Sequence, residues 1–215
     1  MRDLSAERVD YTGVQLLETA VPDQPVTLFE TWLADALLAR DQGQLAEPTA
    51  MVLATCNGGR PSARTVLLKS VSAAGFVFFT NYSSRKGAEI AANPAVALHF
   101  GWYALHRQVR VEGVAETVSR NESEDYFRTR PRGSQLAAWA SAQSSVVAGR
   151  DELVTAYAAA EQQFAGQEVP CPQNWGGYLV RPTVVEFWQG QPSRMHDRLR
   201  YSRTDDVWTL TRLAP

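Results

Sequence analysis

The chain has 215 residues, of which 45% are apolar and 20% charged, with 21 Lys and Arg against 23 Asp and Glu and a formal net charge of −2. This length suits one large domain or one domain with an appendage, and the composition is ordinary for a globular protein, which excludes disordered and collagen-like classes. The near-neutral balance supplies no bulk field for nucleic acid or an anionic membrane, so any anion site must be local.

Residues 1–25 are polar and irregular, end in Pro22 and Pro25, and read as a flexible arm ahead of one domain over residues 26–215. Thr27 and Glu30 have capping-box spacing, and Phe29, Trp32, Leu33, Ala36 and Leu37 recur at helical intervals, predicting a helix that ends near Gln42 and Gly43. From residue 50 the period changes. Residues 50–55 and 61–69 flank Asn57-Gly58-Gly59 and predict a hairpin, and residues 76–80 predict a third strand. Ser83 or Ser84 should cap a short helix that stops at Asn93-Pro94, and residues 96–102 and 108–118 add two strands. Next, Asn121 with Glu124 predicts a helix start, Pro131 a break and Ser134 a second start, and Leu153, Tyr157, Ala160 and Phe164 mark a third apolar stripe. Strands return at 178–180, 184–188, 196–201 and 207–213. Successive strands joined by such short turns predict an α+β fold: an antiparallel β-barrel with helices packed around it.

Several classes are not supported. No apolar run approaches the ~20 residues of a membrane span, and the opening MRDLSAERVDY lacks the apolar core of a secretory signal, so a cytoplasmic location is expected. Cys56 and Cys171 are isolated, and His99, His106 and His196 form no HxH or HxxxH pair, so no disulfide framework or metal is expected.

Four segments concentrate chemistry. In Arg64-Thr65-Val66-Leu67-Leu68-Lys69 two cations bracket a β-like run; they either snorkel from strand ends or hold anions, and alternation puts them on opposite faces. Ser83-Ser84-Arg85-Lys86-Gly87 sets hydroxyls and cations at a helix start, which suits a phosphate as well as an ordinary cap. Residues 126–134, YFRTRPRGS, place Arg128, Arg130 and Arg132 with Tyr126 and Ser134 at a helix break, either as a solvated loop or as a fork for a phosphate monoester. Finally, Val185-Glu186-Phe187-Trp188-Gln189 precedes Arg194-Met195-His196-Asp197-Arg198; alternation would put Arg194, His196 and Arg198 on one face, reasonable against an anion or an electron-rich ring.

At this last segment, VEFWQ followed after four residues by RMHDR, the sequence resembles the pyridoxamine 5′-phosphate oxidase family. RTVLLK (64–69), FFTNYSSRKG (78–87), RQV (107–109), YFRTRPRGSQ (126–135), WASAQSS (139–145) and RLAP (212–215) extend the resemblance over nearly the whole chain, in family order. The resemblance implies an FMN-binding split β-barrel and a homodimer with FMN at the subunit interface. It implies oxidation of pyridoxine 5′-phosphate and pyridoxamine 5′-phosphate to pyridoxal 5′-phosphate, with O2 as acceptor and H2O2 as product.

By position it matches Arg64, Thr65, Val66, Leu67, Leu68, Lys69, Phe79, Thr80, Arg85, Lys86, Gln108, Gln143, Ser144, Trp188 and Arg198 to cofactor contacts. Lys69, Tyr126, Arg130 and Ser134 match the grip on the substrate phosphate. Arg194 and His196 match catalytic residues against the substrate ring, and Arg8 and Tyr11 match a pair on an arm that closes over the site. Two alternatives follow: a related flavin oxidase of the phenazine type, which has no need of the phosphate grip, and a noncatalytic flavin or pyridoxal phosphate carrier.

Overall fold

The computed structural model describes residues 2–4 and 10–215. Its helices are α1 (Pro25–Asp41), α2 (Arg85–Ala92), α3 (Arg120–Thr129), α4 (Arg132–Ala140) and α5 (Arg150–Gln163). The strands are β1 (Ala50–Asn57), β2 (Arg60–Leu67), β3 (Ser70–Ser72), β4 (Gly75–Asn81), β5 (Ala95–Trp102), β6 (Arg107–Thr117), β7 (Trp175–Gln189), β8 (Asp197–Thr204) and β9 (Val207–Arg212). They form one nine-stranded antiparallel sheet, so the α+β class holds, and β3 is a short edge strand that carries no alternation to predict.

The β1–β2 turn shows why this sequence makes a hairpin: Gly58 and Gly59 have φ of 57° and 75°, the left-handed pair that a two-residue turn demands. Beyond it, Met51, Leu53, Leu98, Phe100, Val109, Val111, Val185, Phe187 and Leu199 point inward and are almost fully buried. Helix α1 lays Phe29 across this interior, with ring centroids 4.9 Å from both Phe76 and Phe100. A smaller core of Phe127, Leu136, Ala160, Phe164, Val169 and Trp175 seats α3, α4 and α5 against the start of β7.

Strand β7 is where the sheet divides. Its first half pairs with β4 and its second half with β8, while β6 runs along its other edge. The register against β6 shifts between Glu112 and Gly113, with Pro182 opposite Gly113. Pro182 cannot donate to a ladder, and a Cβ on Gly113 would stand 2.2 Å from Arg181 O, so both residues belong at this bulge.

Several expected boundaries are corrected. Helix α1 starts at Pro25, whose fixed φ and missing N–H suit the first helical position, and Thr27 lies inside the helix rather than capping it. Helix α3 is capped two residues before the predicted Asn121: Ser119 accepts from Glu122 N, and the Glu122 side chain reaches back to Ser119 N, giving the same capping-box spacing in an earlier frame. Helix α4 starts at Arg132, so Ser134 sits in its first turn rather than at its cap. On α5, Leu153 is exposed and Ala160 carries the burial. The strands predicted at 178–180 and 184–188 are one strand, because Pro182 is absorbed at the bulge. Arg194 and His196 precede β8 in a turn where Ser193 and Arg194 have positive φ, so alternation does not set their faces.

The segment before α1 packs onto the sheet from residue 10 onward. Leu16 is buried and its N–H donates to Asp197 Oδ2 at 3.0 Å, while Gln191 Nε2 donates to Val14 O at 3.2 Å and Tyr201 Oη to Pro22 O at 2.7 Å. Arg8 lies outside the described residues.

Candidate active site

A cleft of about 650 Å³ lies between the end of β2, the end of β4 and helices α3 and α4. It gathers Thr65, Val66, Leu67, Lys69, Phe79, Thr80, Lys86, Tyr126, Arg130, Ser134 and Gln143, eleven of the residues singled out in four stretches of sequence.

Two cationic centres face this space. Lys86, in the first turn of α2, donates through Nζ to Thr80 Oγ1 at 3.0 Å, Gln143 Oε1 at 2.9 Å and Ser84 Oγ at 3.3 Å. Burial pushes its pKa below the ordinary lysine value, and the nearby Arg64 charge pushes the same way, so an anion here would restore what burial costs. Ser84 caps α2 by accepting from Gly87 N, and a Cβ on Gly87 would stand 2.0 Å from Tyr82 O, so the turn closes only with glycine there.

The second centre is Arg130, at the end of α3. Its guanidinium lies 4.6 Å from the Trp175 ring centroid and 5.3 Å from that of Phe127, and its buried Nη1 has no hydrogen-bond partner. An orphaned buried donor costs ~1–3 kcal/mol, which a hydrogen-bond acceptor reaching it would offset. The other two arginines of the run are spent on structure: Arg128 pairs with Asp125, and Arg132 donates to Phe164 O and Gln167 O. Beside Arg130, Phe79 stacks on Tyr126 at 4.0 Å and on Trp175 at 5.6 Å, making a flat aromatic wall. Trp175 is the functional residue that sequence reading missed; its signal was an aromatic ahead of Gly176-Gly177, at the first position of a strand.

Other predicted residues lie outside the cleft lining. Arg64 turns to Glu89, with Nη2 2.8 Å from Oε2, and also donates to Thr55 Oγ1 and Ser62 Oγ. Arg85 donates to the other oxygen of Glu89 at 2.8 Å. The Thr55 hydroxyl, then these two arginines, hold the Glu89 carboxyl down at about 2 against the opposing effect of burial. Leu68 points into the core, and Ser144 stands on an exposed loop with φ of 76°.

A second constellation gathers at the far end of β7. Gln108, Trp188 and Arg198 are cross-strand partners, and the Trp188 and His196 ring centroids are 4.6 Å apart. Tyr11 meets Trp188, His196 and His106 edge-on, at 5.6, 5.4 and 4.9 Å. His196 Nδ1 accepts the Gln191 N–H at 3.1 Å, which leaves the neutral ring its proton on Nε2. Arg194 is exposed nearby on its turn. Trp175 and Trp188 stand at opposite ends of β7, separated by roughly 40 Å of extended strand.

Residues 39–164 match the family model described as pyridoxamine 5′-phosphate oxidase. The chain belongs to the pyridoxamine 5′-phosphate oxidase family. Residues 175–215, which include Trp188, Arg194, His196 and Arg198 of the second constellation, match that family's model of the pyridoxine 5′-phosphate oxidase C-terminal dimerisation region. Among curated relatives, the pyridoxine/pyridoxamine 5′-phosphate oxidase of Rubrobacter xylanophilus is 53% identical over all of this chain and 97% of its own. That of Thermosynechococcus vestitus is 52% identical over 97% of each chain. Among solved structures, PhzG from Burkholderia lata, in complex with tetrahydrophenazine-1-carboxylic acid, superposes with a TM-score of 0.87 at 30% identity, covering 94% of this chain and 99% of that one. A pyridoxamine 5′-phosphate oxidase-related, FMN-binding protein of Nostoc punctiforme shares the fold, with a TM-score of 0.69 at 18% identity, over 87% of this chain and 97% of its own.

Proposed function

We propose that the chain is an FMN-dependent homodimeric oxidase that converts pyridoxine 5′-phosphate and pyridoxamine 5′-phosphate to pyridoxal 5′-phosphate. The observation that carries this reading is the pair of anion-binding centres, Lys86 and Arg130, in one cleft: the reaction needs two phosphates held at once, one on the cofactor and one on the substrate. Lys86 with Thr80 and Gln143 would hold the FMN phosphate end, with Arg64 and Arg85 behind it, and residues 65–67 would line the cofactor. Lys69, Tyr126, Arg130 and Ser134 would grip the substrate phosphate; Ser134 adds a hydroxyl in the first turn of α4, where free N–H groups already favour an anion.

FMN, when bound, would supply the two-electron acceptor for oxidation at the substrate C4′, with O2 as terminal oxidant and H2O2 as product. The alcohol then yields the aldehyde directly, and the amine yields it with uptake of water and release of ammonia. The protein's part is to bind, orient and manage protons. Trp188 and Arg198 from the dimerisation region, with Gln108 beside them on β6, would meet the cofactor, and His196 would present its Nε2–H to a polar substituent of the substrate ring. Arg194 would stabilise charge developing on that ring. The two constellations stand at opposite ends of β7, which supports a dimer in which each complete site would draw one from each subunit.

The PhzG likeness raises the phenazine-type reading, but an unphosphorylated substrate would leave Arg130 Nη1 buried without a partner. Two free thiols suit the cytoplasmic placement that belongs to this reading. The test is to mix the FMN-loaded protein with pyridoxine 5′-phosphate without oxygen, follow the visible flavin band, and then admit oxygen. Bleaching, recovery and formation of pyridoxal 5′-phosphate are expected. A flavin that stays oxidised would overturn the proposal in favour of a phenazine-type substrate or a carrier.

A further inference from the structure

The outer face of the sheet carries two adjacent rows of side chains across β5 to β8. The front row is Gln108, Trp188 and Arg198, in register across three strands. The back row, two positions away along each strand, is His99, Arg110, Glu186 and Arg200, likewise in register. The intervening Val109, Phe187 and Leu199 point the other way and are fully buried in the core.

Each polar member of the front row is held from behind. His99 Nε2 lies 3.0 Å from Gln108 Oε1, and since that oxygen is an acceptor, the imidazole donates. Arg198 donates from Nε at 2.9 Å and Nη2 at 2.8 Å to Glu186 Oε1, and Arg110 Nη2 donates to Glu186 Oε2 at 2.7 Å. Glu186 has only 7% of its side chain exposed. A carboxylate is expensive to bury unless it is paired, and here both oxygens are spent on orienting guanidinium groups.

We propose that His99 and Glu186 are positioning residues for the cofactor: His99 fixes which end of the Gln108 amide faces the flavin, and Glu186 fixes the Arg198 guanidinium. The inference rests on the reading that Gln108 and Arg198 contact FMN. A glutamine amide is nearly symmetric in shape, so without a partner it presents oxygen or nitrogen equally well. With its oxygen held by His99, the amide offers its NH2 donors to the flavin, where donors favour the reduced, more electron-rich form.

The test is a double-mutant cycle of His99→Leu, Gln108→Leu and their combination on the full-length protein, reading FMN dissociation by flavin fluorescence and the flavin midpoint potential. Leucine suits a half-buried strand position, so the fold should survive. Each single variant is expected to weaken FMN about fivefold and to move the potential to a more negative value, and the double should be no worse than Gln108→Leu alone. His99→Gln, which keeps a donor, should restore part of both. Glu186→Gln should weaken FMN about tenfold, and should add nothing in an Arg198→Leu background. Multiplicative losses in the double variants would overturn the positioning roles while leaving the contacts intact. A Gln108→Leu protein with unchanged affinity and potential would instead overturn the contact reading, and the His99 role with it.

Discussion

Arg130 illustrates how much one side chain's surroundings decide. The run Arg128, Arg130 and Arg132 announces phosphate chemistry by composition, yet only its middle member leaves a buried donor unsatisfied beside the cleft. Composition and spacing do not say which of the three would face the ligand, since that depends on Asp125, Trp175 and the Phe164 carbonyl; only the family resemblance picks out Arg130. Arg130→Ala should lower kcat/KM for the phosphorylated substrate about 10- to 100-fold, mostly through KM, while Arg128→Ala should leave it near wild type; steady-state kinetics checks both. Lys86 sets a pH dependence. Because burial and the Arg64 charge hold its pKa below the ordinary lysine value, its charge is lost as pH rises before a free lysine would lose it. FMN affinity should therefore fall as pH rises into the alkaline range. Riboflavin, which lacks the phosphate, should not share the fall, and titrations of both ligands at several pH values separate the two.

Among the elements, the caps and the long strand show where pattern reading is strong and where it slips. The capping-box spacing before α3 was correctly sensed but placed on Asn121 and Glu124, since three polar residues in a row offer competing frames; only Ser119 and Glu122 satisfy both N–H groups. Ser119→Ala should cost ~1 kcal/mol of stability, seen as a lowered denaturant midpoint with unchanged slope. Strand β7 was read as two because Pro182 breaks an otherwise continuous pattern, and a bulge that tolerates proline is a tertiary fact. Arg194 and His196 were placed on a strand face by alternation, but the left-handed Ser193 and Arg194 form a turn, a conformation these residue types do not advertise. By contrast, the β1–β2 hairpin is legible because Gly58-Gly59 carry their geometry locally, and the α2 cap is legible to within one residue, Ser83 or Ser84, of which Ser84 is the cap.

Taken whole, the proposed function puts one half-site at each end of one strand, and the family's dimerisation region spans residues 175–215, all of that strand. Mixing refolded subunits of Arg130→Ala and His196→Ala should therefore recover, at substrate concentrations well below KM, activity above that of either homodimer. A statistical mixture would contain about half heterodimers, each with one intact site, giving about a quarter of wild-type activity; no recovery would mean that each subunit completes its own site. Strand β7 also works as a ruler. Side chains alternate from face to face, so a single residue gained or lost between Trp175 and Trp188 would turn every later side chain inside out and shift the two half-sites along the strand axis by ~3.3 Å. Length changes in this lineage should therefore be confined to loops and to the segment before α1, while the count of residues along β7 stays constant.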